Sequence, residues 1–224
     1  MGISISASAK TRIVVFAASS LTQSFSTLGK YYESKNPGVK IVFSFESSST
    51  LATQITNGAR ADIFVSASPE DMAKVSSGNN YVSNRVVLAV PILSTISKIS
   101  DLNGDIKWVQ CSHEVPCGRA ADIALKSENV TANPISLESN SQSVVTKLTM
   151  GEVDAAIIYK SDVILNAKKI KAIEFSNKKG ATTRYKIAKL HTGKEINNFF
   201  AYLKSSSSLK YLRKNGFDSK WRMV

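Results

Sequence analysis

Phe45 to Asp71 reads FESSSTLATQITNGARADIFVSASPED, and this stretch decides the fold class. A strand end over Val42 to Phe45 passes into three serines and a threonine, Ser47 to Thr50. Helical spacing follows, with Leu51, Ile55 and Ala59 on one face and Gly58 near the end. Next come a short apolar strand, Ile63 to Val65, a small-residue turn, Ser66 to Ser68, and a helix opening at Pro69. Serine suits a helix N-cap because its hydroxyl accepts from a free first-turn amide. Three at one junction exceed what capping needs. The surplus hydroxyls and amides form a neutral, donor-rich cup at the positive end of a helix dipole, where an anion would sit.

The other half of the cup lies upstream. Ile13 to Phe16 is a compact strand that runs through Ala17, Ala18, Ser19 and Ser20 into a helix with Leu21, Phe25, Leu28 and Tyr32 inward. The reading is strand 13–16, helix 20–35, strand 39–45, helix 49–58, strand 62–66 and helix 69–76, with Asn36-Pro37-Gly38 as a break. Such alternation predicts a parallel sheet with helices on both faces and ligands beyond the carboxyl ends of its strands. Both serine turns fall at those ends. Further strands are expected over Val86 to Leu93, Trp108 to Cys111, up to Tyr159, Ile170 to Phe175 and Arg184 to Leu190, after a polar turn at Ser76 to Asn80. Helices are expected over Gly118 to Ser127, around Val144 to Leu148, and over Glu195 to Leu203 and Ser208 to Asn215, the last stopped by Gly216.

FAASSLT at 16–22 and FESSSTLA at 45–52, taken in succession, resemble the periplasmic molybdate-binding proteins of ABC importers, in the type II solute-binding family. The following NGARADIFVSA (57–67) is similar to that family's GAPADLFISA, and the resemblance runs from Arg12 to Phe217. It implies an α/β, two-lobed periplasmic-binding-protein-like fold, each lobe a mostly parallel sheet flanked by helices, with the ligand in the interlobe cleft. Residues 1–86 would form lobe 1, with 190–224 returning to it, and 87–189 lobe 2; hinges would lie near 84–88 and 186–191. Val115-Pro116-Cys117-Gly118 matches the family's V-P-A-G turn, with Cys117 in place of alanine, while Gln110-Cys111-Ser112 stands where Gly-Asp-Pro is usual. Ser141 replaces a common valine, and Tyr159 in AIIYKSD matches the tyrosine of GIVYxSD, whose hydroxyl donates to the oxyanion.

The resemblance therefore implies oxyanion contacts at Ser20, Ser48, Cys117, Ser141 and Tyr159, with Ser19, Ser49 and Asn140 as secondary candidates. Molybdate or tungstate is the implied ligand, no cofactor is required, and molybdenum enters only inside the oxyanion. The implied partners are an ABC permease and its ATPase, with no nucleic acid. An extracytoplasmic monomer is expected, with peripheral or lipid-anchored membrane association compatible with it. The start, MGISISASAK, lacks a signal peptide's apolar core and is read as the end of an exported chain whose signal was trimmed. The alternatives are a sulfate-type oxyanion binder, or a ligand-sensing domain of the same fold without a transport role.

Composition sets the outer bounds. The 224 residues can bury a sizeable core, and 43% hydrophobic with 21% charged content is ordinary for a globular protein. The net charge of +12 is uneven: residues 160–224 carry 16 Lys/Arg against 4 Asp/Glu, whereas residues 1–159 balance. That surface is read as solvated, or as steering an anionic ligand or meeting an anionic cell surface. No nucleic-acid module's motif accompanies the lysines. Cys111 and Cys117 have only His113 between them, too few ligands for a metal, and in an exported chain a local disulfide is expected.

The candidate site offers donors and no obligate charge, which suits a fully deprotonated dianion. A carboxylate in the cup would instead favour hydrogen phosphate. Glu46 is the nearest candidate and is expected to point away. Hydrolytic readings find no G-x-S-x-G elbow and no H-E-x-x-H. Only His113 and His191 are available as a serine's base, and no enzyme is expected.

Overall fold

The computed structural model describes residues 10–219. The reading of the chain start as a trimmed export signal lies outside them. The strands are β1 (Thr11–Ala18), β2 (Val39–Glu46), β3 (Ile63–Ser66), β4 (Asn79–Pro91), β5 (Trp108–Cys111), β6 (Ser136–Glu138), β7 (Ala155–Tyr159), β8 (Ile170–Ile173) and β9 (Thr182–Lys189). The α-helices are α1 (Thr22–Lys35), α2 (Ser48–Thr56), α3 (Pro69–Ala73), α4 (Pro116–Ser127), α5 (Ser141–Thr149), α6 (Lys160–Leu165), α7 (Lys194–Leu203) and α8 (Ser206–Lys214). A 3₁₀ turn, Ser19–Leu21, leads from β1 into α1.

One curled sheet runs β2-β1-β3-β9-β4-β7-β5-β6, with β8 added against β4. The trio β1, β2 and β3 is parallel, as is the trio β5, β6 and β7, and antiparallel β9 and β4 join them. The two parallel trios are what the alternating sequence predicts, and the antiparallel β4 and β9 make the α/β sheet mixed.

β4 is the tie between the two halves. Asn79–Arg85 pairs with β9, and Val86–Pro91 with β7 and β8. Val86 to Val90 are fully buried, so this strand is covered on both faces and reads as a continuous apolar run. Around it sits one core with Trp108, Leu148 and Ile158. A second core gathers Ile13, Phe25, Tyr185, Phe199, Leu212 and Phe217, so the C-terminal helices pack on the first sheet half. Each large side chain so buried contributes roughly 1.5–3 kcal/mol. Gly216 ends α8 at φ +93°, and a Cβ there would meet Ile164 of α6 at 2.7 Å.

Several boundaries differ from the sequence reading. β4 already starts at Asn79, inside the expected polar turn, because ladder hydrogen bonds from β9 need backbone groups rather than apolar side chains. α3 stops at Ala73, and the short β6 and α6 carry too few residues to show a period. β9 pairs with β3 and with the first half of β4, so the chain is back at the first sheet by Thr182, ahead of the 190 expected. Residues 186–189, expected in a hinge, are paired with β3 inside that sheet. The alternating Thr183, Tyr185 and Ile187 specify a half-buried strand but not which neighbour it joins.

Candidate functional site

Five helical starts converge on one small cavity. Ala18, Ser19 and Ser20 come from the end of β1 and the 3₁₀ turn, and Glu46, Ser47 and Ser48 from the end of β2 and the start of α2. Pro116 and Cys117 open α4, Asn140 and Ser141 open α5, and Tyr159 ends β7 just before α6. Ala67, just past β3, completes the lining. Strand carboxyl ends and helix starts thus supply the walls, and a helix start carries a partial positive charge. Asn140 caps α5 by accepting from the amides of Gln142 and Ser143, and Ser47 caps α2 by accepting from Thr50. No side chain caps the 3₁₀ turn, α4 or α6.

The cavity's hydroxyls are engaged, those of Ser19 and Tyr159 with residues of the other sheet half. Ser19 Oγ and Ser141 Oγ share a hydrogen bond of 2.8 Å, and the Ser141 amide donates to Ser19 Oγ at 3.2 Å. Ser20 Oγ and Tyr185 Oη are 2.6 Å apart. Ser48 Oγ accepts from the Ala67 amide at 2.8 Å, which leaves its own proton free to donate into the cavity. Tyr159 Oη donates to Thr183 Oγ1 at 3.2 Å. Burial pushes the phenols of Tyr159 and Tyr185 well above their ordinary range, so both remain O–H donors.

The enclosed space is ≈ 10 Å³, about the least that holds one water. A tetraoxoanion therefore enters only as these hydroxyl pairs separate. Larger openings of ≈ 560 and ≈ 570 Å³ flank the cleft on either side. One side is bridged by Asn140 Nδ2 donating to Glu46 Oε2 at 3.1 Å, the other by Arg119 of α4 donating to Asp71 of α3 at 3.1 Å.

Ser20, Ser48, Cys117, Ser141 and Tyr159 all line this cavity, together with Ser19 and Asn140. Ser49 is outside the lining and bonds Ser47 Oγ at 3.2 Å, while its neighbour Ser47 is inside. The expectation for Glu46 is corrected: it lines the cavity and holds Asn140, because α5 brings an amide donor opposite it. Tyr185 and Thr183 were not singled out from the sequence. Their signal was the period-2 burial of β9, which puts both on its inward face. Cys111 and Cys117 form a disulfide that closes the turn leading into α4. His113 pairs with Asp122 at 2.8 Å and His191 with the Ala61 carbonyl at 2.9 Å, and neither lines the cavity.

A family profile described as bacterial extracellular solute-binding protein matches residues 13–218, nearly all of the described chain. The chain belongs to that family. Among curated relatives of this solute-binding protein, the molybdate-binding protein ModA of Mycobacterium tuberculosis is 33% identical over 218 residues, spanning 92% of this chain and 84% of its own length. ModA of Haemophilus influenzae is 30% identical over 243 residues, spanning 98% and 94%. The periplasmic molybdate-binding protein of Azotobacter vinelandii superposes with a TM-score of 0.75 at 16% identity, over 92% of this chain and 98% of that one, and so shares the fold. Among the described residues, no helix is long and apolar enough to cross a membrane, and no cluster of three or more His, Cys, Asp or Glu could hold a metal ion.

Proposed function

We propose that this solute-binding protein captures molybdate, and tungstate with it, in the cleft between its two sheet halves and delivers the ion to an ABC permease and its ATPase. The observation that carries the reading is the convergence of five helical starts and their serine and tyrosine hydroxyls on one cavity. Such a donor set complements a deprotonated tetrahedral dianion. The two relatives named as molybdate-binding, over more than nine-tenths of this chain, support the choice of metal. Tungstate follows because its oxyanion has almost the same size and charge.

In this reading the oxyanion accepts from Ser20, Ser48 and Tyr159 and from the main chain at Cys117 and Ser141. Residues up to 85 with 182 onward form one lobe and 86–181 the other. Closure is a rotation about the crossings at 85–86 and 181–182, where β4 changes partners and the chain enters β9. The closed form is what the permease recognises.

Glu46 gives a second reading a specific footing. A carboxylate at the rim is an acceptor, and it would favour an oxyanion that still carries a proton, such as hydrogen phosphate. Calorimetric titration of the purified, dialysed protein with molybdate, tungstate, sulfate and phosphate separates the two. One-to-one binding of the first pair without phosphate upholds the proposal, and phosphate binding in their place replaces it.

A further inference from the structure

We propose that Asp162 is a positioning residue of the anion cup, and that the cup takes up a proton at this carboxyl as it binds a divalent oxyanion. The inference rests on the oxyanion reading of the cleft. Asp162 is the third residue of α6 and is 1% exposed. Gln142 Nε2 donates to its Oδ1 at 3.3 Å, and Oδ2 has no hydrogen-bond partner. Gln142 follows Ser141 at the start of α5, and Tyr159 immediately precedes α6. The carboxyl therefore ties together the two helix starts that present Ser141 and Tyr159 to the cavity.

Its charge state is poised. Burial pushes the carboxyl up to about 7, while hydrogen bonds from Gln142 and the Tyr159 main chain pull the other way. The cations on neighbouring elements are engaged elsewhere. Arg85 of β4 and Lys160 of α6 both bind Glu174, beyond β8, at 2.7 Å. Arg119 of α4 binds Asp71, and Lys147 of α5 binds Glu138. From β7 and β9 come the phenols of Tyr159 and Tyr185, both in electrostatic contact with Asp162, and Asp218, beyond α8, acts on Arg85.

A dianion seated against the same two helix starts adds negative charge to a buried carboxylate held by hydrogen bonds from Gln142 and the Tyr159 main chain. Like charges in low dielectric disfavour the ionised form, so binding draws one proton from solvent onto Asp162. Bound oxyanion and neutral carboxylic acid are then the stable pair. Linkage fixes the sign: affinity is full where the carboxyl is already protonated and falls as pH rises through about 7. One proton limits the slope to about tenfold per pH unit.

The test is calorimetric titration with sodium molybdate from pH 5.5 to 8.5, in pairs of buffers with different ionisation enthalpies. The proposal expects a Kd that is flat below about pH 6 and rises above pH 7, with a heat that differs between buffers by the proton taken up. Asp162→Asn should lose both effects, giving a Kd that no longer changes with pH and a heat that no longer depends on the buffer, whereas a merely structural role would leave the pH profile in place. A pH-independent Kd with no buffer dependence in the unaltered protein overturns the proposal, and that readout does not require the variant to fold. A pH dependence that survives Asp162→Asn places the proton elsewhere, Glu46 being the other carboxylate at the cup, and also overturns it. Failure to bind any of molybdate, tungstate, sulfate or phosphate at every pH overturns the oxyanion reading itself, and this inference with it.

Discussion

Ser19 Oγ and Ser141 Oγ meet at 2.8 Å although 122 positions separate them in the chain. One hydroxyl stands where β1 ends and the other where α5 begins, so their bond joins the two sheet halves at the centre of the cleft. A neutral hydroxyl pair of this kind contributes only about 0.5–1.5 kcal/mol net. An anion's oxygens can replace it with charge-assisted bonds roughly twice as strong. The same atoms that hold the cleft together can therefore release one another to a ligand.

Ser48 is the sharpest single test of the cup. Its Oγ accepts from the Ala67 amide, and its own O–H remains available as a donor. Ser48→Ala should weaken molybdate binding by about 1.5–3 kcal/mol, the worth of one hydrogen bond to a charged group. Calorimetry reads the change directly, and an unaltered Kd removes this serine from the site.

The Cys111–Cys117 bridge closes a short loop at the entrance to α4. Chain-entropy reasoning gives so small a loop about 2 kcal/mol of stabilisation. Replacing both cysteines with serine should lower the urea midpoint accordingly, and reductant should lower it for the natural chain alone. Equal midpoints with and without reductant would show that the bridge adds nothing.

Gly118 admits no side chain. A Cβ there would lie 1.9 Å from the Ser112 carbonyl oxygen and 2.8 Å from that of Cys111. Backbone has to move to accept it, so Gly118→Ala should cost about 1–3 kcal/mol of stability or more. In the proposed site it should also weaken oxyanion binding, because Gly118 adjoins Cys117 in the cavity lining. A thermal melt and a titration on the same sample check both.

Glu174 sets an acid limit. The Arg85 guanidinium, with help from Lys160, holds its carboxyl down at about 2 against burial, below an ordinary 4.5. A depressed carboxylate contributes stability that is whole above about pH 5 and is lost as pH falls towards 2. With about a third of the side chain exposed, solvent screening leaves on the order of 1–2 kcal/mol. Glu174→Gln should lose that amount at pH 7 and show a flatter decline between pH 5 and 2. Parallel declines in the two proteins would remove the ion pair from the account.

By itself the sequence determined the repeated strand–serine–helix units, and with them the alternating architecture and the end of the strands at which the serine turns lie. The serine turns at Ser20 and Ser48 were legible from spacing and capping chemistry, whereas Cys117, Ser141 and Tyr159 were named through the family resemblance; all five line one cavity. Only the tertiary structure decided what faces them. Tyr185 reaches Ser20 because β9 inserts between β3 and β4, and a strand's own pattern does not name its neighbours. Glu46 turns into the cleft because Asn140, 94 positions later, supplies a donor there. The burial of Asp162 beside Gln142 likewise depends on how α5 and α6 pack against the end of the sheet. Helix starts are written in short stretches of chain, whereas the partners of a hydroxyl or carboxyl come from whichever distant segments the fold brings within about 3 Å.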